Sequence, residues 1–252
     1  MLRKQRGSVS QLENRFERER LRRDVLSHVH RRAEARPSDP MNARWLGLIA
    51  YADALPLQEE IVARKTSNAD AEDELLLLEH EPVYTIGRTP DQSSLRGAAH
   101  LSHPLFQINR GGQATYHGPG QLVGYPLINL RNYAPDLHRY LRWIEDVLIN
   151  LLGSYRIVAQ RRESLTGVWV EDRKIASIGV GVRHWITMHG FALNVCGDLS
   201  AFDQITPCGI TNVTMTSIER ETRESISVRD VAVEAERIVC AALENLREPA
   251  IV

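Results

Sequence analysis

Residues Arg110 to Gln121, RGGQATYHGPGQ, set four glycines and a proline between two apolar runs, Leu105 to Asn109 and Leu122 to Leu130. Short apolar runs bounded by glycine and proline read as strands, so this stretch has to carry the chain from one strand to the next. Glycine permits positive φ and lets backbone lie flush against a ligand, because it has no Cβ to collide. Gly111-Gly112 and the Gly118-Pro119-Gly120 turn therefore predict a shaped backbone surface, with Arg110, Tyr116 and His117 set around it. A plain surface turn is the alternative; the mixture of Arg, His, Tyr and Gln favours a ligand-facing loop.

The rest of the chain supplies a sheet and its covering helices. Arg44 to Tyr51 reads as a strand, and Tyr51 to Lys65 as an amphipathic helix with Pro56 close to its start. Leu75 to Glu79 is a continuous apolar run suited to a buried strand. HEPVYTIGR turns at Pro82 and resumes as a strand, and residues 89–104 read as a loop. Leu141, Ile144, Val147, Leu148, Leu151 and Leu152 share one face of a helix over Leu137 to Leu152 that ends at Gly153. Trp169 to Val182 reads as a hairpin turning through EDRK, and Met188 to Val195 as another strand. Ser227 to Asp230 opens a last helix with a capping-box pattern. That helix runs to about Leu246, with Cys240 expected as buried packing. This is an α/β (α+β) pattern: a mixed sheet flanked by helices, expected on one side.

Composition narrows the function classes. A net charge of −1 over 252 residues gives no general argument for nucleic-acid binding, and no apolar run approaches the length of a membrane span. Residues 1–40 differ, with eleven basic against six acidic residues. They are expected to be an extension, disordered or helical, before a catalytic domain over 41–252. Its acids argue against a mitochondrial presequence. Three scattered cysteines, Cys196, Cys208 and Cys240, suit neither a disulfide framework nor a zinc site.

Cys208 is the better nucleophile. Proline before it and glycine after it let the thiol project from a tight bend, whereas Cys196 follows a strand end. A thiol needs a lowered pKa or a neighbouring base. His117, His184 and His189 are candidates, as is Lys174, which leaves the EDRK turn and enters the apolar IASIGVGV run. From pattern alone a solvated turn lysine is the commoner reading of Lys174. The residues alone thus reach a cysteine-based transferase or hydrolase.

RGGQATYHGPGQ followed by KIASIG, HGFALNV and PCG, with LEHEPVYTIGR before them, resembles the lipoyl(octanoyl) transferase family over about residues 44–246. The resemblance implies the biotin/lipoate protein ligase catalytic-domain fold. It implies transfer of an octanoyl group from octanoyl-acyl carrier protein to a lysine of a lipoyl-accepting domain, through a thioester on Cys208 with Lys174 activating that thiol. The acceptors implied are lipoyl domains of 2-oxoacid dehydrogenase E2 subunits and the glycine cleavage H protein. Substrate contacts implied are Arg110, Gly111, Gly112, Gln113, Ala114, Thr115, Tyr116 and His117, then Ser177, Ile178, Gly179, Gly190, Phe191 and Ala192. The histidines become substrate-shaping residues. Glycines 111, 112, 179 and 190 would leave a slot for the alkyl chain, and backbone amides near Cys208 would stabilise an oxyanion. No cofactor or metal is implied, and a cytoplasmic monomer is expected. An ATP-dependent lipoate or biotin ligase of the same fold and a non-catalytic lipoyl-domain binding module are the rival readings.

Overall fold

Leu75, Leu76, Leu77 and Leu78 point alternately to the two faces of one strand, and all four are buried. Such a strand needs cover on both faces, and this requirement organises the domain. The computed structural model describes residues 41–88, 91, 93–95, 101–133, 135–210 and 213–246. The expected extension over residues 1–40 lies outside them, as does part of the loop expected over 89–104.

In chain order the elements are β1 (Asn42–Ile49), α1 (Tyr51–Ser67), β2 (Glu74–His80), β3 (Val83–Ile86), β4 (Leu105–Gln107), β5 (Thr115–His117) and β6 (Gln121–Leu127). There follow α2 (Leu137–Ser154), β7 (Gln160–Arg162), β8 (Leu165–Val170), β9 (Arg173–Arg183) and β10 (Ile186–Asn194). The chain continues with β11 (Thr214–Met215), α3 (Ile218–Thr222) and α4 (Val228–Ala242). The main sheet runs β1-β2-β6-β10-β9-β8-β7, with β11 also paired to β9. β1–β2 and β9–β11 are parallel and the other pairs antiparallel. A second sheet, β4-β3-β5, is built from the segments around the glycine-rich stretch. That stretch is thus a loop, a three-residue strand and a turn.

Leu75 and Leu77 pack with Ile144, Leu148 and Leu151 of α2 and Val231 and Val239 of α4. Leu76 and Leu78 pack on the other face with Ala54, Ile61 and Val62 of α1. Helices therefore cover both faces, which corrects the expectation of one: a strand apolar at every position cannot leave a face to water. Pro56 sits in the second turn of α1 rather than at its start. It is exposed, as is Ala52, so the carbonyl that proline leaves without its helical donor can face solvent.

Asp136 caps α2, accepting from the amides of His138 at 2.8 Å and Arg139 at 3.2 Å. Ser227 caps α4 by accepting from the Asp230 amide at 3.1 Å, while its hydroxyl donates to the Asp230 carboxylate at 2.7 Å. Cys240 is half-buried at the edge of the core rather than enclosed. The expected EDRK turn is tighter than foreseen. Only Glu171 and Asp172 turn, so Arg173 and Lys174 already belong to β9. No helix among the described residues is long and apolar enough to cross a membrane.

Candidate active site

β9 explains the burial of Lys174. Its register with β10 begins at Ala176, and the remaining edge is taken by β11, where Met215 lies beside Lys174 and the Thr216 amide bonds the Lys174 carbonyl at 2.9 Å. On the other edge Trp169 of β8 pairs with it. Lys174 is 0% exposed. Its ammonium donates to the Thr166 carbonyl at 3.3 Å and stands 5.4 Å from the centroid of the buried Trp169 ring. The solvated turn lysine of the pattern reading is therefore excluded by geometry.

Cys208 lies in the short 3-10 turn Pro207–Gly209 with φ 55° and ψ 21°. A left-handed conformation costs a non-glycine residue on the order of 1–2 kcal/mol. Here the Cys208 amide, donating to the Ala114 carbonyl at 2.9 Å, helps hold it. Gly209 follows with φ +72°, and a Cβ there would meet the Gln113 side chain at 2.7 Å. The bend projects a half-buried thiol whose Sγ lies 3.7 Å from the Ser177 hydroxyl. Burial alone would raise the thiol pKa. The Lys174 ammonium, hydrogen bonds from Ser177 and Lys174, and the Arg110 charge outweigh it and hold the pKa below the ordinary value. Cys196 shows the contrast: burial, Glu219 and Glu79 raise its thiol.

The Cys208 thiol faces a cavity of about 230 Å³. Of the expected contacts, Arg110, Gly112, Gln113, Thr115, His117, Ser177, Ile178, Gly179, Gly190, Phe191 and Ala192 line it with Cys208. Gly111, Ala114 and Tyr116 do not. The Gly111 amide bonds the Val180 carbonyl at 3.0 Å, and a Cβ there would meet only that oxygen, at 3.8 Å, so the slot does not require this glycine. Tyr116 packs instead against Tyr84 and Phe202, and Ala114 acts through the carbonyl that anchors Cys208.

The three backbone amides of the turn at Cys208 are not free to form the expected oxyanion hole. The amides of Cys208, Gly209 and Ile210 donate to the carbonyls of Ala114, Thr206 and Pro207. The tight turn consumes the donors it was expected to offer. What remains by the sulfur are side-chain donors, the Lys174 ammonium and the Ser177 hydroxyl.

Arg110 supplies a second buried positive charge, 6% exposed. Its guanidinium donates to the carbonyls of Gly111, Thr85 and Gln113 and to the Thr85 hydroxyl, at 2.8 to 3.1 Å, all neutral oxygens. Burial lowers its pKa, opposed by the charges of Cys208, Tyr51 and Tyr125. The cavity's potential is thus positive and suits an anionic sulfur or oxygen.

Three neutral imidazoles lie deeper. His117 Nδ1 donates to Gln121 Oε1 at 2.8 Å, and His80 meets the Tyr125 hydroxyl at 2.7 Å. The His189 backbone, at φ 57°, turns its amide to Gln58 of α1 at 2.8 Å. Burial foremost lowers their pKa values to about 3 for His117 and about 4 for His80 and His189. The sulfur's hydrogen bonds run to Ser177 and Lys174, while His117 and His189 line the cavity; His184 lies exposed in the β9–β10 turn.

Sequence reasoning missed Tyr51, Val123, Tyr125 and Thr166, which also line the cavity, because nothing in their local pattern marks them.

The lipoyl protein ligase A/B catalytic domain matches residues 50–240. An octanoyltransferase of Syntrophotalea carbinolica (strain DSM 2380 / NBRC 103641 / GraBd1) is 50% identical over 191 residues, 76% of this chain and 89% of that one. The chain belongs to the octanoyltransferase family. It is accordingly an acyltransferase. A second octanoyltransferase, from Geotalea uraniireducens (strain Rf4), is 49% identical over 191 residues, covering 76% of this chain and 87% of its own. Among solved structures, a putative lipoate protein ligase from T. acidophilum superposes with a TM-score of 0.64 at 17% identity, covering 81% of this chain and 86% of that one. At that identity the likeness speaks for the fold, the lipoate protein ligase catalytic-domain fold that the sequence resemblance implied.

Proposed function

We propose that this acyltransferase moves an octanoyl group from octanoyl-acyl carrier protein onto Cys208 and then onto a lysine of a lipoyl-accepting domain. The observation that carries the reading is one sulfur atom, at the wall of a partly apolar cavity, with a buried ammonium and a hydroxyl beside it. The Cys208 thiolate, its proton on Lys174, attacks the donor's thioester carbonyl. The tetrahedral oxyanion is met by Lys174 and Ser177, and the carrier's sulfur leaves with the proton from Lys174. The acceptor lysine amine then attacks the Cys208 thioester, its proton passes through Lys174 to the departing sulfur, and the amide forms. No nucleotide is needed, because a thioester is already activated.

The alkyl chain takes the cavity lined by Val123, Ile178, Phe191 and Ala192. At about 0.8 kcal/mol per buried CH₂, an eight-carbon chain gives several kcal/mol for length selection. The acceptors that this chemistry serves are the lipoyl domains of 2-oxoacid dehydrogenase E2 subunits and the glycine cleavage H protein. The enzyme works as a cytoplasmic monomer whose catalytic domain is residues 41–252.

Intact-mass measurement after mixing with octanoyl-carrier protein tests the reading. An octanoyl adduct that maps to Cys208 and disappears on adding lipoyl domain is the expected result. An unmodified chain that only binds would replace it with the binding-module reading. Modification of lipoyl domain that survives Cys208→Ala and requires ATP would replace it with a ligase.

A further inference from the structure

The buried Lys174 ammonium forms no ion pair with a carboxylate among the described residues, although charge at that depth is costly unless compensated. One peptide unit supplies the connection. The carbonyl of Thr166 accepts from Lys174 Nζ at 3.3 Å, and the amide on the other side of the same peptide bond, Gly167 N–H, donates to Glu145 Oε1 at 3.1 Å. A trans peptide points its C=O and N–H in opposite directions, so carboxylate, peptide and ammonium stand in series and polarise one another in the same sense.

Glu145 is placed for this role. It sits on α2 with its side chain 1% exposed, and its second oxygen is held by Arg142 at 2.7 Å and Arg161 at 2.9 Å. Gly167 is shaped for it too. It has φ +133°, and a Cβ there would lie 2.9 Å from Lys174 Cε and 2.8 Å from the Ala176 carbonyl oxygen. The β8–β9 register shifts beside it, between Val168 and Trp169, which turns the Thr166–Gly167 peptide out of the regular ladder.

We propose that Glu145 is the positioning residue for Lys174, supplying its countercharge through the Thr166–Gly167 peptide and so fixing the ammonium against Cys208. The inference rests on the cysteine–lysine reading of the site. The charged groups around the relay are few. Lys174 of β9 and Arg110 of the loop before β5 face Cys208, with the neutral His117 and His189 beyond Arg110. Arg142 of α2 and Arg161 of β7 face Glu145, and Arg161 also pairs with the exposed Asp146.

The test is the pH profile of Cys208 alkylation by iodoacetamide, read by peptide mapping, beside octanoyl-transfer kinetics. In Glu145→Gln, which keeps the shape and removes the charge, the alkylation midpoint rises by half a pH unit or more, about a threefold loss of thiolate below the midpoint. The transfer kcat falls with it, while KM for the carrier protein is unchanged. Arg161→Ala, which loosens only the outer ion pair, lowers stability and leaves the midpoint in place. An unmoved midpoint in folded Glu145→Gln, or an equal shift in Arg161→Ala, overturns the proposal in favour of a simple structural staple.

Should Glu145→Gln not fold, the Gly167 amide proton resonance of ¹⁵N-labelled protein decides. It moves upfield in Lys174→Met if the peptide is polarised between the two charges, and an unchanged resonance overturns the relay. A wild-type midpoint at the ordinary thiol value of about 8.5 would instead overturn the reading of the site, and the Gly167 resonance would still judge the relay separately.

Discussion

At Cys208 the competing effects are close enough that single groups decide the outcome. Burial opposes the thiolate, and Lys174, Ser177 and Arg110 together reverse it. Ser177→Ala removes a hydrogen bond to a charged sulfur, an interaction worth about 1.5–3 kcal/mol. The alkylation midpoint of Cys208 should therefore rise and the acylation rate drop on the order of tenfold, measured by stopped-flow with octanoyl-carrier protein. Lys174→Met should do more, since it removes the largest of the opposing effects, and normal acylation would take the lysine out of the mechanism. Gly179 tests the second positive charge. A Cβ at this position would lie 2.9 Å from Arg110 Cδ, so Gly179→Ala should push the guanidinium off Thr85 and slow the acyl transfer without unfolding the chain, as seen by circular dichroism. Cys208 was legible because proline and glycine flank it, a local signature. Lys174 was not legible from pattern, because its burial depends on β11, about 40 residues further along.

Among the elements, α2 carries both a core face and Glu145. Asp136 caps its first turn without touching the cavity. Asp136→Ala should cost about 1 kcal/mol in urea unfolding while leaving the Cys208 alkylation midpoint where it is. The strands and helices were readable wherever periodicity ran long, as in α2, α4 and β2. The strand β4 was legible as the apolar run from Leu105, whereas the three-residue strand β5 escaped the pattern because so short a segment carries little periodicity; only its pairing with β3 makes it a strand. Likewise the two-sided cover of β2 was present in four consecutive leucines, but which helix takes which face is a matter of chain path.

For the whole molecule, the buried histidines set an acid limit. His80, His117 and His189 have folded pKa values of about 4, 3 and 4, below the ordinary value near 6.5. As pH falls below about 6.5 the unfolded chain takes up protons that the folded one refuses, so their contribution to stability is lost from there down to the folded values. The expected slope is up to about 1.4 kcal/mol per pH unit for each histidine. The urea midpoint should be lower at pH 5 than at pH 7, and His117→Asn should flatten the difference. Removing residues 1–40 should leave octanoyl-adduct formation unchanged, since the family match begins at residue 50; loss of the adduct by mass spectrometry would assign those residues to the enzyme.

By itself the sequence determined what neighbours in the chain can enforce: the glycine-rich turn, the projecting thiol, the apolar faces and the order of the motifs. Tertiary structure decided what depends on distant segments meeting. It buried Lys174 between β8 and β11, spent the backbone amides of the Pro207–Gly209 turn on carbonyls, and brought Glu145 to the far side of one peptide bond. The reason is physical. Backbone conformation follows from local sterics, whereas the charge state of a buried group answers to whatever the fold places within a few ångströms of it.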